Sequence, residues 1–346
     1  MVILGINLAH TNYGKQLHDG GTCFVDENGI LVALAEERAA RQKGAGGFEQ
    51  SLQQCSLSLG LTSNDVDLVV YSTCCESTVG AAAPALPGHN TARIVSIPSH
   101  HLSHAYSAFL VSPFDEAIIM VLDSGGNVLD GEKEGMSQWW KLRREQQSYY
   151  VGRGTSIDLL ERDFVEPYET GIGELYRAFT KYLGWESYIY SGKTMGLSAF
   201  GTAERFHGQQ IFYFEGNHLK SRVVNNPLDP IGMLERYATE NGISFGKPRR
   251  RGEPIDQFHM DIARYIQEQA EEAVIKKVRR LCKQTELTDL CVGGGVGLNC
   301  LINMKILERT PLDESLYNLL PVTRGNASET PCTVYSSYWA KRIVSR

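Results

Sequence analysis

"AIIMVLDSGGN", residues 117–127, is a run of six apolar residues closed by an acid, a serine and two glycines. An apolar run of that length, free of polar interruption, is the pattern of a strand buried on both faces. Asp123, Ser124, Gly125 and Gly126 then make a turn whose backbone N–H groups can cradle a phosphate, and Asp123 can hold a metal ion or a hydroxyl. The form returns at "DLCVGGGVGLNCLINMKIL" (289–307) as strand, glycine turn and helix. There Gly293, Gly294 and Gly295 permit close backbone approach, and a helix N-terminus beyond them faces an anion. The second turn is neither a Walker A loop nor a good GxGxxG fingerprint. Each also reads as a tight strand junction that needs glycine for packing alone.

Upstream, "VILGINL", "GTCFVD" and "ILVALAEE" read as strands, the last two joined by the turn "ENG" (27–29). "FEQSLQQCSLSLGL" (48–61) has helical spacing and ends at glycine. "DLVVYST" (67–73) and "ARIVSIP" (92–98) are strands, and Ser99 caps the helix that follows. Downstream, "MSQWWKLRREQQSYYVGRG" (136–154) suggests strands, though ambiguously. "GELYRAFTKYLGW" (173–185) is amphipathic, with Leu175, Phe179 and Leu183 on one face, and 258–285 is the longest helix. "TPCTVYSSYWAKRIVSR" reads as a terminal helix. A strand-led unit thus occurs twice. Two similar α/β lobes with a cleft between them is the simplest architecture, and such clefts bind small ligands.

The length of 346 residues suits two domains or one large α/β unit. A net charge of −6, with "KPRRRG" (247–252) as the densest basic run, gives no case for nucleic acid. The eight cysteines have no CxxC spacing, which disfavours zinc-finger ligation and points to a reducing, cytoplasmic compartment. "MVILGINLAH" lacks a basic n-region and reads as a first strand rather than a signal peptide. No apolar run reaches transmembrane length, so no membrane partner is expected.

"SHHLSHA" (99–105) carries three of the nine histidines. On a helix His100 and His104 share one face and can offer two imidazoles to one ion, while His101 points elsewhere. They could equally be helix-face histidines with no ion. "SGKTMGLSAFG" (191–201) sets Lys193 between glycines, fit to meet a phosphate or carboxylate, or to lie in a surface loop. In "LHDGG" (17–21), His18 beside Asp19 can serve as a general base, or the two are plain turn residues.

The order of these segments adds what each lacks. "LHDGG", "ALAEERAARQK" (33–43), "SHHLSHAYSAFLVSPFDEAIIMVLDSGG" (99–126), "GELYRAFTKYLG" (173–184), "SGKTMGLSAFG" and "VGGGVGLNCLINMKI" (292–306) follow the motif order of the nodulation-type O-carbamoyltransferases. Over nearly its whole length the chain resembles the N-terminal, transferase part of that family, which is similar to the transferase that makes threonylcarbamoyl-adenosine in tRNA. The resemblance implies an α/β, two-lobe actin/sugar-kinase/Hsp70-like (ribonuclease H-like) duplicated fold with an interlobe cleft. The first lobe is expected at 1–112, with 331–346 returning to it, and the second at 113–330.

It further implies transfer of a carbamoyl group from carbamoyl-adenylate to a hydroxyl or amine of a small natural product such as an antibiotic. His100 and His104 match the family's metal pair, typically holding iron. Asp123, Ser124, Gly125 and Gly126 match the first nucleotide turn. Gly293, Gly294, Gly295 and Asn299 match the second, and Lys193 and Gly196 match the "GKxMGL" motif. His18 and Asp19 are the candidate bases. Two departures stand out. In "PVTRGNASETPC" (321–332) Asn326 occupies the place expected for a third, aspartate metal ligand. The resemblance also ends at Arg346, short of the family's adenylate-forming domain, so the donor is expected from a separate adenylate-forming protein. A homodimer is allowed. The alternative is a non-catalytic or neofunctionalised homologue that binds nucleotide or a partner protein with a degenerate metal site.

Overall fold

A computed structural model describes residues 1–8, 20–74, 93–110, 112–130, 142–165, 170–186, 188–226, 228–312 and 316–318. The first sheet holds β1 (Ile3–Asn7), β2 (Gly21–Asp26), β3 (Gly29–Ala35), β4 (Leu68–Ser72) and β5 (Arg93–Ser96) in the order β3-β2-β1-β4-β5. β1 pairs antiparallel with β2 and parallel with β4. Side chains alternate across it as the two-residue period requires. Leu4, Ile6, Phe24, Val69 and Tyr71 pack with Phe48 and Cys55, while Ile3, Val25, Leu68 and Val70 pack with Ile97.

Glu36 opens the short helix α1 (Glu36–Ala40), where the third strand was expected to run on. Its buried carboxylate accepts from Gln50 N (3.0 Å) and Ser51 N (2.8 Å), capping α2 (Glu49–Leu59). A carboxylate at a helix N-terminus satisfies otherwise orphaned N–H groups and complements the dipole. Part of the "ALAEERAARQK" segment is therefore structural. Gly60 ends α2 in the left-handed conformation, as the sequence signalled.

The second sheet contains β6 (Glu116–Leu122), β7 (Val128–Asp130), β8 (Leu142–Arg153), β9 (Ser156–Val165), β12 (Leu290–Gly293) and β13 (Leu316–Asn318). Read as β9-β8-β6-β12-β13, it repeats the first sheet. An antiparallel meander is followed by two parallel strands, and β7 adds at the edge of β8. This recurrence is the duplication expected from the two strand-led units.

Between the strands lie α3 (His100–Phe109), α4 (Ile172–Tyr182), α5 (Ser191–Ser198), the hairpin β10 (Phe212–Glu215)–β11 (His218–Ser221), α6 (Pro230–Glu240), α7 (Gln257–Thr285) and α8 (Cys300–Arg309). β6 is covered on both faces, as its unbroken apolar run demanded. Ala117, Ile119 and Val121 face α3 through Ala105, Ala108 and Phe109. Ile118, Met120 and Leu122 join Leu175, Phe179, Ile266 and Val274 of α4 and α7. Although α3 precedes residue 112, it packs on β6, β8 and β12 of the second sheet. Leu102 also reaches the cluster of the first sheet. The expected terminal helix lies outside the described residues. No helix among the described residues is long and apolar enough to cross a membrane.

Candidate functional site

Ser99 sets where α3 begins. Its backbone is extended and its Oγ accepts from Leu102 N at 3.0 Å, the N-cap geometry its residue type favours. Its hydroxyl donates to Glu145 on β8. Glu145 is fully buried, accepts from Arg162 (2.6 Å) on β9 and takes the Asn127 N–H (2.9 Å). One carboxylate therefore ties together the start of α3, the turn after β6, and strands β8 and β9.

With α3 so placed, His100 and His104 stand one turn apart, both buried, with Nε2 atoms 3.1 Å from each other. Each Nε2 lies 3.4 Å from Oδ2 of Asp123, the first residue beyond β6. One ligand atom from each of these three residues lies within 4.8 Å of the others. Burial works against the Asp123 carboxylate, but its contacts with the two imidazoles hold it well below the usual carboxylate range. His101 turns away. It is buried, its Nδ1 meets Ser148 Oγ at 2.8 Å, and burial pushes its pKa down to about 4, so it stays neutral. A solvent-facing His101 is excluded.

The two glycine turns converge on the same point because β6 and β12 run parallel, with Gly293 opposite Val121. Gly294 has φ +85°, and a Cβ there would run into the Leu122 carbonyl. A Cβ on Gly293 would sit 3.3 Å from the His104 carbonyl oxygen, and one on Gly295 3.4 Å from Asp123 Oδ1. At Gly173, near the start of α4, a Cβ would lie 2.7 Å from Ser124 N. Glycine is needed at 294 and 173, where backbone meets backbone, while at 293 and 295 its absence of a Cβ leaves the approach to the histidine pair and Asp123 open. In open α/β sheets, ligands bind beyond the carboxyl ends of parallel strands, and these turns occupy that position. The first sheet reaches the same turn: Cys74 Sγ lies 3.7 Å from Gly125 O, and Asn127 Nδ2 lies 3.4 Å from Thr73 Oγ1.

Asn299 ends the second turn and caps α8, its Oδ1 accepting from Ile302 N at 3.1 Å. Lys193 and Gly196 sit on exposed positions of α5, a helix rather than a loop. Lys193 Nζ lies 4.5 Å from the centroid of the Tyr190 ring. α5 approaches the second turn through Met195, whose Sδ is 3.9 Å from Cys300 Sγ. The structure thus brings together His100, His104, Asp123, Ser124 and the glycines of both turns. His18, Asp19 and Asn326 lie outside the described residues. The sequence reading gave Asp123 to the nucleotide turn and allowed it a metal ion or a hydroxyl. The structure sets its carboxylate against the histidine pair, a placement signalled only by the acid that closes an apolar run.

A donor set of two imidazoles and one carboxylate fits a first-row divalent cation. Two imidazole nitrogens 3.1 Å apart also need a proton or a cation between their lone pairs.

Known proteins share this architecture. All of the chain aligns with 56% of full-length HypF, solved in a phosphate- and nucleotide-bound form, at 11% identity and a TM-score of 0.54. HypF from T. kodakarensis aligns over 98% of this chain and 48% of its own, at 12% identity and a TM-score of 0.50. The likeness is one of fold, the two-lobe actin/sugar-kinase/Hsp70-like fold. Nodulation protein NolNO of Sinorhizobium fredii is 27% identical over 317 residues, covering 84% of this chain and 42% of the relative. Nodulation protein NolO of Bradyrhizobium diazoefficiens is 32% identical over 221 residues, covering 62% and 34%. The matches therefore span less than half of either relative. The family model described as Carbamoyltransferase N-terminus matches residues 88–327, from before α3 to beyond β13. On that match, across more than half of its length, the chain belongs to the carbamoyltransferase N-terminus family.

Proposed function

We propose that this chain moves a carbamoyl group from carbamoyl-adenylate to a hydroxyl or amine of a small natural product. The observation that carries the reading is the meeting of both glycine turns with His100, His104 and Asp123 at the carboxyl ends of β6 and β12. Family membership supplies the carbamoyl chemistry. That HypF, of the same fold, is solved with nucleotide and phosphate bound is compatible with a nucleotide here; that it is the adenylate of the donor is part of the proposal.

In this reading the adenylate phosphate lies against the turns at 123–126 and 293–299, where the missing Cβ atoms allow close approach, and Lys193 is a further phosphate contact. His100, His104 and Asp123 would hold a divalent cation. When bound, such a cation supplies Lewis-acid stabilisation of the departing phosphate and polarises the donor carbonyl. The acceptor's O–H or N–H loses its proton to a base, for which His18 and Asp19 are the candidates. A new bond forms from the acceptor atom to the carbamoyl carbon, the carbon–oxygen bond to phosphate breaks, and AMP leaves with the electron pair. The donor comes from an adenylate-forming unit, which the longer relatives leave room for.

The test is mass-spectrometric. The chain is incubated with carbamoyl-adenylate, a divalent metal and a panel of alcohols and amines. A carbamoylated product with matching AMP release is expected, and both are lost in His104→Ala. AMP release that neither needs an acceptor nor responds to His104→Ala would refute the reading.

A further inference from the structure

A buried polar relay lies behind the second glycine turn. Gln267 of α7 is fully buried. Its Oε1 accepts from Tyr176 OH of α4 (2.8 Å) and from Asn299 Nδ2 (2.8 Å). Its Nε2 donates to Glu271 Oε1 (2.8 Å) and to Asn299 Oδ1 (3.2 Å). Gln267 and Asn299 therefore face each other amide to amide.

Neither amide can turn over without loss. A flipped Gln267 would aim its oxygen at the Glu271 carboxyl and its NH2 at the Tyr176 hydroxyl. A flipped Asn299 would aim its NH2 at the Ile302 N–H, which can only donate. A buried network of this kind is rigid when every partner is met and costly when one is removed.

We infer that Gln267 is a positioning residue for nucleotide binding: through Asn299 it anchors the end of the turn at 293–299 to the core of α7. This rests on the reading of that turn as a nucleotide loop. Tyr176 and Glu271 hold Gln267, Gln267 holds Asn299, and Asn299 bonds the turn through Val296 O and α8 through the Ile302 N–H. Gln267 itself is too buried to touch a ligand.

The experiment measures AMP binding to the full chain by calorimetry. Gln267→Glu keeps the shape but sets a carboxylate against Glu271 and Asn299 Oδ1, and about tenfold weaker binding is expected. Gln267→Met supplies a second arm. It weakens AMP binding about tenfold when Asn299 is present and leaves it unchanged in the Asn299→Ala background. Equal losses in both backgrounds, or unweakened binding in Gln267→Glu, would overturn the relay. Failure of the unmutated chain to bind AMP would overturn the nucleotide reading of the turn, and the relay's role with it.

Discussion

Glu145→Ala is the sharpest test of how the start of α3, with its histidine pair, is held in place. Glu145 is fully buried and its partner Arg162 is nearly so. Truncation leaves the guanidinium without its carboxylate, and breaking a buried pair from one side costs about 3–5 kcal/mol. The Asn127 N–H also loses its acceptor, about 1–3 kcal/mol if no water reaches it. The Ser99 hydroxyl can rotate and adds little. These terms overlap, so the expected loss is about 4 kcal/mol, a large part of a domain's total stability. Urea unfolding followed by circular dichroism reads it directly. Replacing both partners, Glu145→Leu with Arg162→Met, should recover most of the loss, because the desolvation of two charges goes with them. A loss below about 1 kcal/mol in Glu145→Ala, or a double variant no better than the single one, would refute the account.

Three further outcomes follow from the same geometry. His104→Ala and Asp123→Asn should each weaken divalent-cation binding by at least about tenfold, measured by calorimetry with the metal alone; unchanged affinity would remove that residue from the donor set. Gly294→Ala should destabilise the chain by about 2 kcal/mol or more, since it combines a left-handed φ with a Cβ against the Leu122 carbonyl, and a melting temperature unaltered by the change would contradict it. His218 is half exposed and its ring meets Asp163, a contact that raises its pKa above 6.5, while burial holds the Asp163 carboxyl above its usual range. The stability this contact contributes is present below pH 6.5 while Asp163 stays ionised, is lost as pH rises through the folded His218 value, and is lost again in acid as Asp163 takes up its proton. NMR titration should show the raised value, and Asp163→Asn should lower it; a His218 titration indifferent to Asp163→Asn would sink this assignment.

Local chemistry made much of the architecture legible. Ser99 announced the start of α3 by its side chain, and Gly60 announced the end of α2. The apolar run 117–122 read as a doubly covered strand because no polar residue breaks it. β8 was ambiguous for the opposite reason. Glu145, Gln146, Gln147 and Ser148 are polar yet buried, so the strand lacks the alternation that betrays one. α5 was weighed as a loop because of its glycines. It is a helix, packed against α7, and tertiary packing outweighs weak propensity. The histidine pair was visible from its i, i+4 spacing. Asp123 joins it only through the packing of α3 on β6, and Gln267 meets Asn299 across 32 positions of sequence, so no local pattern records either contact.

All three candidate ligands ride on one frame. α3 packs on the second sheet, and Asp123 continues directly from its central strand. A hinge movement between the two sheets would carry His100, His104 and Asp123 as a unit and leave their mutual spacing unaltered. Any cation taken by these three donors would meet the same spacing wherever the first sheet sits.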